Sequence, residues 1–167
     1  RWSKTFIDQL KKDKDPRLDV ISEVPQPGLA NSVNENLAGN KDRSVQMGLP
    51  NGYDLLGGAT DIRNSTGYPG ASGSGSDIAP LGKYSRPVTS VYLKLGGPNF
   101  IMTYGETEFL LAEAKLRGWN ISGSTADHYA NGINAAFQSM AQLDVQATME
   151  TSKINAYLSS HPLDQSS

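Results

Sequence analysis

Of the 167 residues, 37% are hydrophobic and 19% charged, with 17 Gly, 9 Pro and no Cys, a balance that fits a globular chain and excludes disordered and fibrous classes. Lys and Arg number 15 against 17 Asp and Glu, for a net charge of −2, so no basic excess exists to neutralise a phosphate backbone, and nucleic acid is not expected as a partner. The absence of cysteine removes disulfides, thiolate metal sites and cysteine nucleophiles together.

The chain opens on Arg1-Trp2-Ser3 without a basic-then-apolar leader, and this start is expected to be a cut, with any targeting signal or anchor upstream. The first predicted element is a helix from 3 to about 12, on which Trp2, Phe6, Ile7 and Leu10 share a face. Asp13, Asp15 and Asp19 follow with the look of a calcium loop. Pro16 lies inside that run, the central Gly is missing, and Val24 stands where the bidentate Glu belongs, so it reads as a solvated charge run ending in a turn. The chain up to 98 is then mostly loop, because 48–97 holds eleven of the 17 Gly and eight of the nine Pro precede Phe100. Residues 67–75 have linker chemistry. No phosphate-binding glycine pattern is found there, and GASGS at 70–74 misses the nucleophile elbow because Ser74 replaces the second framing Gly.

From 99 to 161 three helical patterns follow one another. Thr103 and Glu106 have capping-box spacing, the FLLAEA run at 109–114 is apolar nearly all round and so predicts a buried helix, and Gly118 falls where a left-handed cap would end it. Ser124 and Asp127 open a second helix over 124–143 whose Tyr129, Ile133, Ala136, Phe137 and Met140 form one stripe. The two helices, 103–118 and 124–143, are expected to pair antiparallel with Leu111, Phe137 and Met140 buried. A third begins near Thr151 or Ser152, presents Ile154, Tyr157 and Leu158, and stops before Pro162. The fold class expected is mainly α, with tetratricopeptide-like helix pairs and long irregular Gly/Pro-rich loops; the spacing between the first two helices, stretched by residues 119–123, makes the repeat an imperfect one.

Catalytic chemistry finds little to build on. The two histidines, His128 and His161, have no acidic residue at ligand spacing; His128 reads as a half-exposed helix residue and His161 as a C-terminal residue facing a helix dipole. Glu106, Glu108 and Glu113 are explained as capping and solvent-facing positions on one helix rather than as paired acids. Neither an enzyme, a metal site nor a cofactor is expected. Asn64-Ser65-Thr66 and Asn120-Ile121-Ser122 match the N-glycosylation pattern, which is short enough to arise by chance. What remains is a set of tyrosines and amides in the loops. Tyr53 stands beside Asn51 and Asp54, and Tyr68 beside Asn64 and Thr66. A tyrosine ring offers a flat apolar face to the C–H face of a pyranose while Asn and Asp meet its hydroxyls, so Tyr53, Tyr68, Asn51 and Asn64 are the candidate glycan-binding residues. Tyr84 and Tyr92 are expected to be structural.

The string PNFIMTYGETEFLLAEAKLRGW (98–119), followed by ADHYANGINAAF (126–137), resembles the signature segment of SusD/RagB-like proteins, in particular the SusD-like branch described as starch-binding and outer-membrane associated. DPRL (15–18) and PLGKYSRP (80–87) are similar to the same family in the same order. The resemblance implies that 1–98 (a short helix plus loops) and 99–167 (helical) are parts of one larger domain. It implies a cell-surface lipoprotein of Bacteroidetes-type bacteria that captures glycans or other nutrients and hands them to a TonB-dependent outer-membrane transporter. Membrane attachment would come only through a lipid anchor upstream of this chain. The alternative is a helical protein-docking module with no ligand of its own.

Overall fold

A computed structural model describes residues 1–25, 38–54, 57–70 and 82–164. The glycine-rich 71–81 stretch, with most of the GASGS motif and the start of PLGKYSRP, lies outside the described residues. The chain divides into two compact units, Arg1–Leu95 and Gly96–Ser167.

The first unit begins with α1 (Lys4–Lys12), whose N-cap Ser3 accepts from the Phe6 amide as the sequence pattern requires. Its far end is a Schellman motif, with Asp15 N–H donating to Leu10 O and Lys14 N–H to Lys11 O, and with Lys14 at φ 52° in the left-handed position that glycine usually takes. The next residues correct the expectation of a solvated charge run. Asp15 is buried, and its carboxylate accepts from the Arg17 amide at 2.8 Å and from the Arg17 guanidinium, closing the turn that starts α2 (Leu18–Ile21). Four residues are too few to leave a readable period.

Two short strands, β1 (Ser22–Glu23) and β2 (Arg86–Pro87), pair antiparallel with Ser22 opposite Pro87 and Glu23 opposite Arg86. They bury polar side chains that satisfy one another. Arg86 donates to Glu23 at 3.0 Å, and the Gln46 carbonyl oxygen accepts from both Ser22 and Ser85 hydroxyls at 2.7 and 2.8 Å. Burial of such groups is tolerable only because each has a partner. The buried apolar residues of this unit include Ile7, Leu10, Leu18, Ile21, Val88 and Val91, the last of these on α3 (Thr89–Tyr92).

The second unit is helical. Its α4 (Tyr104–Leu116) and α5 (Thr125–Gln138) form an antiparallel hairpin, with the entry of α4 against the exit of α5: a Cβ at Gly105 would lie 3.0 Å from Gly132 O and 3.1 Å from Ala136 N. Both N-caps are made by the expected residues, Thr103 and Ser124, but only Ser124 has the reciprocal bond from its third residue, Asp127. Gly118, at φ 81°, ends α4 in a second Schellman motif, with Trp119 N–H donating to Ala114 O. The expected single helix over 124–143 is interrupted at Ser139, whose hydroxyl donates to Ala136 O, and continues as α6 (Met140–Leu143). Then α7 (Thr151–Ser160) brings Ile154 against Ile133 and Phe137, with Tyr129, Met149, Tyr157 and Leu158 packed around them. Phe137 is fully buried, whereas Leu111 and Met140 are only half-buried.

The expectation that α4 is buried does not hold. Only Gly105, Glu108 and Ala112 are buried on it, while Leu110, Leu116 and the following Trp119 are 51%, 55% and 65% exposed. An apolar run all round a helix signals burial only when neighbours cover every face, and among the described residues α5 covers one.

Candidate functional site

The loop that carries the candidate glycan residues is built on an aspartate. Asp61 is buried, caps a short 3-10 turn (Ile62–Asn64), and accepts from the Gly57 amide at 3.0 Å, the Arg63 amide at 2.8 Å and the Arg63 Nε at 2.7 Å. The guanidinium and amide of Arg63 hold the Asp61 carboxyl well below the usual carboxylate range. This is the Asp15–Arg17 arrangement a second time. An Asp-x-Arg spacing was the sequence signal for both, and it can be recognised because the aspartate binds the backbone amide two residues on while the arginine folds back onto it.

Backbone bonds from Asp54 N–H to Thr60 O and from Ile62 N–H to Asp54 O lay the 51–54 turn alongside the 60–62 segment. Tyr53, 40% exposed, and exposed Asn51 therefore sit on a turn supported by a buried clamp. Asn64 is exposed as well, but its amide donates to Gly58 O at 2.7 Å and so helps close the loop. Tyr68 is half-buried, and its backbone N–H donates to Ser65 O at 3.0 Å. The structure thus brings Asn51, Tyr53 and Asn64 onto one supported loop, which half-buried Tyr68 follows in the chain.

Tyr84 is buried, as its structural role requires. Burial pushes its phenol up, and Tyr68 adds to the effect while Ser65 opposes it. Neither the Tyr84 hydroxyl nor the buried Ser65 hydroxyl has a hydrogen bond of good geometry among the described residues. Tyr92 is partly exposed and packs edge-on to Trp2 at 5.9 Å.

On the second unit, the reading of Glu108 as solvent-facing is corrected. Glu108 is buried and accepts from His128 Nδ1 at 2.7 Å, while His128 Nε2 lies 2.8 Å from Ser122 O. Tyr104, one turn before, and Asn131 also address the Glu108 carboxylate. Tyr104 lowers that carboxyl most, His128 next. The Glu108 carboxylate in turn raises His128 above the ordinary histidine value, helped by Ser122 O. His128 is thus a partly buried helix residue that also clamps the two helices together. Glu106 stays exposed in the first turn, and exposed Glu113 pairs with Arg117 along the helix. His161 caps α7, with Nδ1 3.0 Å from Tyr157 O and its ring stacked on that of Tyr157. Among the described residues no group of three or more His, Asp or Glu side chains is placed to hold a metal ion, and no helix is long and apolar enough to cross a membrane.

Comparison with known proteins fits this architecture. A chitin-binding protein of known structure is 26% identical, superposes with a TM-score of 0.58, and is matched over 97% of this chain and 30% of its own. A SusD homologue from Bacteroides fragilis is 26% identical with a TM-score of 0.55, over 95% of this chain and 31% of its own. An outer-membrane protein from Bacteroides vulgatus, described as involved in nutrient binding, shares the fold at 23% identity and a TM-score of 0.58, over 93% of this chain and 30% of its own. No curated protein matches the chain. The chain therefore spans about a third of the length of these structures. Residues 1–165 match throughout the SusD-like family described as starch-binding and associating with the outer membrane, and the chain belongs to that family.

Proposed function

We propose that this chain is part of a non-catalytic protein that captures glycans or other nutrients at the bacterial surface and delivers them to a TonB-dependent outer-membrane transporter. The observation that carries the reading is the family match over residues 1–165, which takes in both compact units. In this reading 1–98 and 99–167 belong to one larger domain, the α4–α5 hairpin is a tetratricopeptide-like pair, and the ligand meets Tyr53, Tyr68, Asn51 and Asn64. Rigid elements position loops, and loops carry recognition; the buried Asp61 clamp supplies that rigidity here.

Affinity electrophoresis through gels containing starch or soluble chitosan tests it. Retardation of the chain that is reduced in Tyr53→Ala, with folding intact, supports the reading. Migration indifferent to every polysaccharide favours the alternative, a helical docking module without a ligand. The observation on that side is that exposed Leu110 and Trp119 line one depression with Ala114, since grouped exposed apolar side chains mark protein-contact sites.

A further inference from the structure

The segment leading into α4, PNFIMTY (98–104), carries Phe100, Met102 and Tyr104 at alternate positions. Because α4 and α5 run antiparallel, this segment meets the exit of α5, where Gln138, Ser139 and Gln142 follow one another. Between them lies a groove of about 220 Å3, and no charged side chain lines it. That volume is below the roughly 300–1,000 Å3 of pockets that enclose a drug-sized molecule; it suits one unit of a chain lying across the surface.

The polar groups are distributed in a particular way. The Thr103 hydroxyl is occupied in accepting from the Glu106 amide, and that of Ser139 in donating to Ala136 O. The side-chain amides of exposed Gln138 and Gln142, on either side of the break at Ser139, have no partner among the described residues. Each offers two donors and a carbonyl acceptor, the set that meets vicinal hydroxyls. The aromatic side is fixed in advance. Tyr104 is 65% exposed, yet its hydroxyl is directed at Glu108, which His128 holds at 2.7 Å. An exposed tyrosine whose ring is already oriented loses little rotamer freedom when a ligand stacks on it.

Resting on the glycan-capture reading, we propose that this groove is a second glycan subsite, in which Tyr104 and Phe100 stack an uncharged pyranose unit and Gln138 and Gln142 hydrogen-bond its hydroxyls. It belongs to the second unit, whereas the Tyr53 loop belongs to the first. The absence of charge selects neutral over acidic sugars, since a uronate carboxylate would lose hydration without gaining a cation.

Titration of the 15N-labelled chain with maltohexaose, chitohexaose and hexagalacturonate, followed by amide NMR, tests this. The side-chain amide signals of Gln138 and Gln142 should shift saturably with at least one neutral oligosaccharide and not with hexagalacturonate. Tyr104→Ala, or Gln138→Ala with Gln142→Ala, should weaken binding at those signals by about tenfold, while Tyr104→Phe keeps most of it. The glutamine pair carries the test if Tyr104→Ala proves unfolded. Saturable shifts confined to residues 50–70 would overturn the groove and leave the capture reading standing. No saturable shift anywhere would overturn both, and equal binding of hexagalacturonate at the groove would overturn the assignment to neutral sugars.

Discussion

Both ring nitrogens of His128 face oxygen acceptors, the Glu108 carboxylate and Ser122 O, and only the protonated imidazole can donate to both. The sign of the pH dependence follows. His128 is raised above 6.5, so its contribution is complete below about 6.5 and is lost as pH rises through the higher folded value. Glu108 is lowered below 4.5, so its contribution is complete above about 4.5 and is lost as pH falls through the lower folded value. The clamp is therefore strongest between those limits. Thermal unfolding from pH 6 upward should show the melting temperature falling more steeply in the native chain than in His128→Gln; parallel profiles would show the clamp to be inert. Nothing local in the sequence announces this pair, because its members stand 20 residues apart on different helices. The Asp-x-Arg clamps are different: Asp15 with Arg17 and Asp61 with Arg63 lie within three residues of chain, so their spacing is a local signal, though the charge-run reading of Asp15 passed over it.

Among the elements, helix ends were the most readable feature. Thr103 and Ser124 cap the helices they were expected to cap, and Gly118 ends α4, because capping is chemistry between residues three or four apart. What the periodicity could not supply was how closely α4 and α5 approach. Their contact is set by Gly105 and Gly132, where a Cβ added to Gly132 would lie 2.7 Å from the Phe109 ring. Gly132→Val should destabilise the chain by about 1–3 kcal/mol through overpacking, and shortening Phe109 to Leu in the same chain should recover part of that loss; additive effects would show that the ring is not the obstacle. On the opposite side of α5, Phe137 packs edge-on against Tyr157 at 5.0 Å and against Ile133 and Ile154. Phe137→Ala should cost about 3–5 kcal/mol in chemical denaturation, and an unchanged midpoint would remove Phe137 from the core. The break at Ser139 and the short α2 and α3 escaped the sequence reading because a four-residue helix owes its existence to its neighbours rather than to a period of its own.

At the scale of the whole molecule, the two compact units solve burial differently. The first satisfies Glu23, Gln46 and Arg86 inside its core through partners as far as 63 residues away in the chain; pairing at that distance is invisible to a reading of local pattern. The second buries an apolar cluster but leaves Leu110, Leu116 and Trp119 open to solvent among the described residues. Exposed apolar surface of that kind binds hydrophobic dyes or promotes self-association. Dye fluorescence should accordingly rise with the folded chain and fall in Leu110→Lys with Leu116→Lys; a dye-silent, monomeric native chain would mean that this face is covered. Asn51, Tyr53 and Asn64 could be listed as loop residues from the sequence, but the bonds that hold their loop, Asp54 to Thr60 and Ile62, and Asn64 to Gly58, join residues six or more apart and have no local signature. The most direct test of glycan capture is calorimetric titration of the folded chain with maltohexaose and chitohexaose. Saturable heat is expected with at least one of them, with affinity reduced about fivefold or more by Tyr53→Ala, by analogy with the roughly 1–3 kcal/mol of an aromatic stacking contact. Absence of saturable heat with both, for a chain whose folding is verified in the same sample, would contradict glycan capture.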